Sequence, residues 1–319
     1  MIDKKLIEKT LSLWGIKNTK VELIAYRENI TFKAQDDFGN KLVLRFHRKN
    51  YSHKYEIVSE LLWLEALNEK DINVPKPVKS IQNNYIENIE GQLISILSWI
   101  NGLPMTKINE NKDEQINELI FFNLGKEIAK IHKFSDDWIK TDQFRKRKWD
   151  IEGLLGENPV WDKFWTNPEL TQTQTDQINS MKKQSYFFLK KMIGELDYGL
   201  IHADAVRDNV LVQDNYKVNL IDFDDSGFGF RLFDIATTLL HYIKDKNYLT
   251  IKKNILKGYL SVRFLDFNFL NIFILIRSFT YVGWNISRIN EPNGKKRNKK
   301  YIENIFTVSK KLEIKFLSD

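Results

Sequence analysis

Apolar positions recur along the 319-residue chain in two rhythms, and the rhythm changes near Pro104. Before it, Leu6, Ile7, Leu11, Leu13 and Trp14 fall on one face and predict a helix within residues 1–19, closed at Gly15. The runs 21–26, 30–34 and 41–46 are short and β-prone, so they predict three strands. The turn residues Asp36-Asp37-Phe38-Gly39-Asn40 join the last two. Ile57, Leu61, Leu64 and Leu67 return to helical spacing over about 55–69. Pro75 and Pro77 end that stretch, two further strands are expected near 85–89 and 93–99, and Asn101-Gly102-Leu103-Pro104 marks a break.

Beyond the break the spacing is mostly helical. Leu124, Ile128, Ile131 and His132 share one stripe, and 179–193, 231–244, 251–264 and 268–290 behave alike. A β-hairpin over 210–222 is the exception. With no internal repeat and no low-complexity linker, the pattern predicts an α+β protein in two parts. Residues 1–100 form a small β-rich lobe with one main helix, and residues 101–319 a larger, mostly helical lobe.

Composition narrows the chemistry. A 42% hydrophobic content suffices for a core at this length, and the absence of cysteine excludes disulfides, iron–sulfur clusters and thiol nucleophiles. The longest apolar segment, 267–284, is interrupted by Asn271 and Arg277, and the start lacks a signal peptide's apolar stretch. The expectation is a soluble, cytoplasmic protein without membrane contact. The net charge of +7 resides in two runs, Arg145-Lys146-Arg147-Lys148 and the stretch 295–300. Both read as solvated loops or helix ends, and no nucleic-acid-binding motif accompanies them.

The chemically informative text runs from Leu200 to Asp225, with polar anchors at His202, Asp204, Asn209, Asp222 and Asp224. Asp214-Asn215 supplies the hairpin turn. A register placing Gln213 opposite Val218 would bring Asn209 opposite Asp222, at the end that the loop carrying Asp204 enters. Phosphoryl transfer to a hydroxyl needs this set. A carboxylate (Asp222) and an amide oxygen (Asn209) suit Mg²⁺, and a further carboxylate (Asp204) orients the hydroxyl and takes its proton. A plain surface hairpin rich in Asp and Asn explains Asp214 and Asn215 but not the spacing of the other three. His202 reads as structural, bonding the loop backbone. Asp224 and Asp225 read as metal contacts or as solvated carboxylates, the solvated reading being the commoner outcome for such a position.

This segment resembles the catalytic and metal-binding loops of the aminoglycoside phosphotransferase and choline kinase superfamily, which has the protein-kinase-like fold. It looks closest to the branch of type II homoserine kinases and the bacterial stress-response kinase. The resemblance implies ATP and Mg²⁺, with Ala203 standing where the family's His-Gly-Asp has glycine. Phe233-Asp234-Ile235-Ala236 resembles the helix start whose Asp braces the catalytic loop, which makes Asp234 structural. The segment 124–132 is similar to a family helix in which His132 is packed, and Trp99 lies on the strand resembling the hinge that receives adenine. The lysine of the third strand is replaced by Arg45, for which Glu60, or one turn earlier Glu56, is the implied partner and Lys41 the fallback phosphate contact. Neither Gly-x-Gly-x-x-Gly nor a P-loop motif occurs, and Asn29, in Tyr26-Arg27-Glu28-Asn29, is either a phosphate contact or a plain turn residue.

For the acceptor, 144–150 and the face formed by Arg277, Tyr281, Trp284 and Arg288 are candidates. That face suits a pocket wall for an anionic or zwitterionic alcohol, or else a solvated helix edge. A small-molecule kinase is therefore expected. A Ser/Thr protein kinase and an inactive nucleotide-binding pseudokinase are the alternatives.

Overall fold

The computed structural model describes residues 2–17, 19–26, 29–49, 51–108 and 114–314. Arg27 and Glu28 of the expected first turn lie outside the described residues. The chain condenses into two compact units, and it crosses between them more than once. One holds Met1–Leu103, Ile139–Lys146 and Asn219–Asp224; the other holds Pro104–Trp138, Arg147–Val218 and Asp225–Asp319.

The first unit contains α1 (Lys4–Leu13), β1 (Glu22–Tyr26), β2 (Asn29–Gln35), β3 (Lys41–His47), α2 (Lys54–Asn68), β4 (Pro77–Val78), β5 (Glu87–Ile89) and β6 (Gln92–Ser98). The strands form an antiparallel sheet in the order β1-β2-β3-β6-β4, with β5 also on β6. Each expected strand is found within two residues of its predicted limits. Alternation along β2, β3 and β6 puts Phe32, Leu42, Leu44, Phe46, Ile94 and Ile96 in one core, which α1 covers with Leu11 and Trp14. β3 is central, so Arg45 lies opposite Thr31 on one side and Ser95 on the other. Helix α2 starts with a reciprocal capping box between His53 and Glu56, and it buries the four apolar positions expected of it.

The second unit is mainly helical. The remaining elements in chain order are β7 (Leu103–Pro104), α3 (Glu114–Asp137), β8 (Lys148–Trp149), α4 (Ile151–Leu155), α5 (Gln172–Met192), β9 (Tyr198–Ile201), β10 (Val210–Val212), β11 (Val218–Leu220), β12 (Gly227–Phe230), α6 (Arg231–Leu240), α7 (Tyr248–Leu260), α8 (Leu270–Ile286) and α9 (Gly294–Lys311). β12 lies between β8, to which it is parallel, and the antiparallel β9. Helix α8 is buried along nearly its whole length, with its arginine, Arg277, wholly enclosed.

Two expectations change and one holds. The run 145–148 is only partly a solvated loop. Arg145 and Lys148 are exposed, but Lys146 is 8% exposed, Arg147 pairs with Asp225 at 2.8 Å, and Lys148 opens β8. Charged side chains drawn in require partners, which is how the middle of a basic run ends up inside. The run 295–300 is the first turn and a half of α9, with its four lysines exposed, as a solvated helix end should be. The hairpin register differs by one residue. The Gln213 N–H donates to Lys217 O, not to position 218, because Asp214, Asn215 and Tyr216 form a three-residue loop whose last residue has φ +60°. Among the described residues no helix is long and apolar enough to cross a membrane.

Candidate active site

In the second unit the loop after β9 is held by one carboxylate. The His202 N–H donates to Asp234 Oδ2 at 2.8 Å and the Ala203 N–H to Asp234 Oδ1 at 2.6 Å. Asp234 stands in the first turn of α6, where the helix dipole favours an anion. His132 Nε2, on α3, donates to the same carboxylate at 3.0 Å, and its Nδ1 takes the Tyr259 hydroxyl proton at 2.8 Å. Burial pushes Asp234 up, but the bonds and charges from His132 and His202 outweigh it, and the carboxyl sits below its usual value. Burial and Arg231 in turn hold His132 neutral, its pKa pushed down to about 4. Both side chains are thus held within the hydrogen-bond network of the loop. His202 Nδ1 accepts from the Asp204 N–H at 3.2 Å, which stiffens the turn that presents Asp204.

Asp204 itself is gripped from two sides. Asn209, at the end of a single 3₁₀ turn, donates its Nδ2 to Asp204 Oδ2 at 2.9 Å and to the Asp204 carbonyl at 3.0 Å. Arg277 Nη2 donates to Asp204 Oδ1 at 2.9 Å. The Arg277 side chain is fully buried, whereas that of Asp204 retains 23% exposure, so the carboxylate is the accessible end of the pair. The guanidinium lies 4.3 Å from the Tyr281 ring centroid, 4.8 Å from Trp161 and 5.1 Å from Phe233. Arg277 also donates to the Tyr281 hydroxyl at 3.2 Å, and that hydroxyl lies 3.1 Å from His241 Nε2.

The predicted stripe on α8 therefore divides. Arg277 and Tyr281 reach Asp204 and its partner, which rules out a solvated helix edge at that end. Trp284 and Arg288 form a separate stack, with Arg288 at 4.3 Å and Arg297 of α9 at 5.2 Å from the Trp284 ring. Trp161 was not anticipated. It lies between α4 and α5, outside any periodic segment, and nothing in the local sequence marks it.

In the first unit Arg45 and Glu60 pair as expected, Nη1 to Oε1 at 2.7 Å. Arg45 is also bonded to Asp224 Oδ1 at 2.8 Å and, through Nε, to Ser95 Oγ at 3.3 Å. Asp224 takes a further hydrogen bond from the Asn29 amide, so Asn29 is neither a plain turn residue nor Asp224 a solvated one. Asp222 adopts φ +65° and adds to the negative field at Arg45. Burial disfavours the Arg45 charge, yet Glu60 and Asp224 more than compensate and hold it protonated; burial also raises Glu60 against the pull of Arg45. His47, on the same face of β3, bonds Ser95 Oγ at 2.9 Å and is held neutral, its pKa pushed down to about 3 by burial and by Arg45. A cleft beside this cluster is lined by Asn29, His47, Arg48, Glu56, Lys146 and Asp224. Lys41 is exposed at the start of β3. The Trp99 N–H donates to Lys41 O at 3.1 Å.

Each unit offers one oxygen donor of the kind a hard divalent cation takes. In the second, both Asn209 amide bonds use Nδ2, so its carbonyl oxygen faces the opposite side; in the first, Asp222 offers a carboxylate. Among the described residues no group of three His, Asp or Glu could hold a metal unaided.

Residues 21–264 match the model of the phosphotransferase enzyme family. An amicoumacin kinase from Bacillus subtilis (strain 168) is 24% identical over 245 residues, 76% of this chain and 68% of that protein. A homoserine kinase from Janthinobacterium sp. (strain Marseille) is 24% identical over 216 residues, 66% of this chain and 60% of its own length. Among solved structures, a microcompartment-associated aminopropanol kinase has a TM-score of 0.80 at 24% identity, covering 96% of this chain and 95% of that one. The amicoumacin kinase hAmiN, in complex with AMP-PNP, Ca²⁺ and Ami, has a TM-score of 0.75 at 20% identity, over 95% and 93% of the two chains.

Proposed function

Because the chain belongs to the phosphotransferase enzyme family, we propose that it transfers the γ-phosphoryl group of ATP, with Mg²⁺, to a hydroxyl of a small molecule. The observation that carries this reading is the presentation of Asp204. Its loop is pinned to Asp234 by two backbone bonds, and its carboxylate is aimed by Asn209 and Arg277 while remaining the exposed member of the group. Such a carboxylate orients an acceptor hydroxyl and takes its proton as the phosphorus–oxygen bond forms. Asn209 and Asp222 are the ligands of the divalent ion, which supplies charge neutralisation at the phosphates. On the nucleotide side, Arg45 takes the place of the usual lysine with Glu60 as its brace, Asn29 orders the phosphate-covering turn through Asp224, and the strand at Trp99 receives the adenine through backbone groups.

The acceptor is an amino-acid-like or other anionic or zwitterionic alcohol. Support comes from the fixed positive charge of Arg277 against Asp204, and from a relative whose name specifies homoserine. The expected result is Mg²⁺-dependent ATP turnover stimulated by such an alcohol, cut about 10³-fold in Asp204→Ala and Asp222→Ala. Turnover that survives both substitutions would refute the assignment. A second reading, an inactive nucleotide-binding protein, is favoured by the double engagement of Arg45 by Glu60 and Asp224. Nucleotide binding without turnover for any alcohol or protein acceptor would establish it instead.

A further inference from the structure

We infer that Lys146 holds the terminal phosphates of ATP, providing the positive charge that Arg45, already paired with two carboxylates, does not leave available. The inference deepens the nucleotide-binding reading of the first unit and rests on it. Residues 139–146 belong to that unit, although the chain on either side, up to Trp138 and from Arg147, belongs to the second. The short segment is fixed by the burial of Phe144 and by the Arg145 N–H, which donates to Ser59 Oγ of α2 at 2.8 Å. Position 146 is thereby brought to the cleft that Asn29, Arg48, Glu60 and Asp224 also line. Lysine is seldom buried unless an acid lies near, and Glu60 is within reach of its charge.

The charges around Arg45 show why a further cation is needed. Its Nη1 is bonded to Glu60 at 2.7 Å and to Asp224 at 2.8 Å, and Asp222 adds to the same negative field. One positive charge against these carboxylates leaves the group net negative. A magnesium-bound triphosphate still carries excess negative charge, so beside such a group it is repelled unless another cation answers it. The cleft wall offers Arg48 and Lys146. Arg48 is exposed, so water and salt screen it. Lys146 is buried, where the effective dielectric is lower and the same charge acts more strongly.

The residue type suits the task. A lysine ammonium is a compact point charge with three donors on a flexible stem, so it can turn from one anion to another without backbone movement. Burial raises the proton affinity of Glu60, and Arg45 and then Lys146 pull against it, so Glu60 is their shared neighbour. A phosphate entering the cleft gives Lys146 a second anion while Glu60 keeps its bond to Arg45. The basic run is then divided by role. Arg145 anchors the segment through its backbone, Lys146 serves the cleft, and Arg147 pairs with Asp225.

The test titrates the full-length chain calorimetrically, with Mg²⁺ present, using adenosine, AMP, ADP and the non-hydrolysable analogue AMP-PNP. Wild-type affinity should rise along that series. Lys146→Met, which keeps the apolar stem, should weaken AMP-PNP about 30-fold and leave adenosine within about 2-fold. Lys146→Arg should return AMP-PNP to within about 5-fold of wild type, and Arg48→Met should cost less than about 3-fold. Loss of packing alone would weaken adenosine and AMP-PNP alike, so an equal loss, or none, overturns the inference. A larger effect of Arg48→Met than of Lys146→Met overturns it too. A second arm needs no variant to fold: acetylation of Lys146 by acetic anhydride in the wild-type chain, read by peptide mass spectrometry, should slow about 5-fold with Mg²⁺ and tripolyphosphate but not with adenosine. Labelling that tripolyphosphate leaves unchanged counts against Lys146 as the phosphate contact. A wild-type protein that binds neither adenosine nor AMP-PNP defeats the nucleotide-binding reading itself, a failure distinct from that of the inference.

Discussion

Ala203 holds φ +65°, a left-handed backbone that an L side chain reaches only at a cost of about 1–2 kcal/mol. The strain persists because Asp234 accepts from both His202 and Ala203, so the loop cannot relax without losing two buried bonds at once. The family's glycine at this position is thus explained by geometry, and its replacement here is a local conflict that the bracing overcomes. Ala203→Gly should raise the unfolding free energy by about 0.5–1 kcal/mol, the removed strain exceeding the extra unfolded-state entropy of glycine. Urea titration measures this, and a fall in midpoint would show that the buried methyl group is worth more than the strain. Arg45 teaches the complementary lesson. Its replacement of lysine is visible in the chain, and so is Glu60 as a partner; the capture of its other contact by Asp224 is not, because 179 residues separate the two.

Among the elements, the α3–α7 pair shows how a motif acquires its physical reason. Gly125 was notable only as part of a family-like helix. In the fold a Cβ there would come within 2.0 Å of the Ile255 carbonyl oxygen, and one at Gly258 within 1.9 Å of the Phe122 oxygen. The two backbones touch, and neither helix has room to yield locally. Gly125→Ala should therefore destabilise the protein by about 3 kcal/mol despite alanine's higher helix propensity, and a thermal melt unchanged from wild type would contradict the crossing geometry. Helices with a broad apolar face, such as α2, α6 and α8, were legible to within a few residues. Helix α9 was not, because its lysine-rich opening hides Ile302, Ile305 and Val308, which pack only once α8 is in place. The strands β8 and β12 are two and four residues long, and they exist through pairing with partners distant in sequence.

At the scale of the whole molecule, the ionisable groups enclosed by folding set its response to acid. His132 and His47 are neutral in the fold, with pKa values pushed down to about 4 and about 3 by burial and by neighbouring arginines. In the unfolded chain each binds a proton near pH 6.5. Their depressed values contribute stability that is complete above pH 6.5 and is lost as the pH falls towards 4 and 3, since the unfolded state takes up protons that the native state refuses. The unfolding free energy should drop by about 2–4 kcal/mol between pH 7 and pH 5 through these two histidines. Denaturant titrations at the two values decide it, and a flat profile would mean that these histidines are already protonated in the native state over that range.

The sequence by itself determined the α+β class and the spacing from His202 to Asp222, and the family resemblance of that segment implied Asp234 as a brace and Glu60 as the partner of Arg45. The class depends on local periodicity and the spacing on one short run, so that information lies close together in the chain. Only the tertiary structure decided that Asp224 joins Arg45, that Arg277 is enclosed by aromatic rings against Asp204, and that part of a basic run is buried. Those outcomes depend on which distant segments meet and exclude water. A linear reading of charge and hydrophobicity cannot distinguish a solvated cation from one held by a carboxylate more than 70 residues away, as Arg147 is by Asp225.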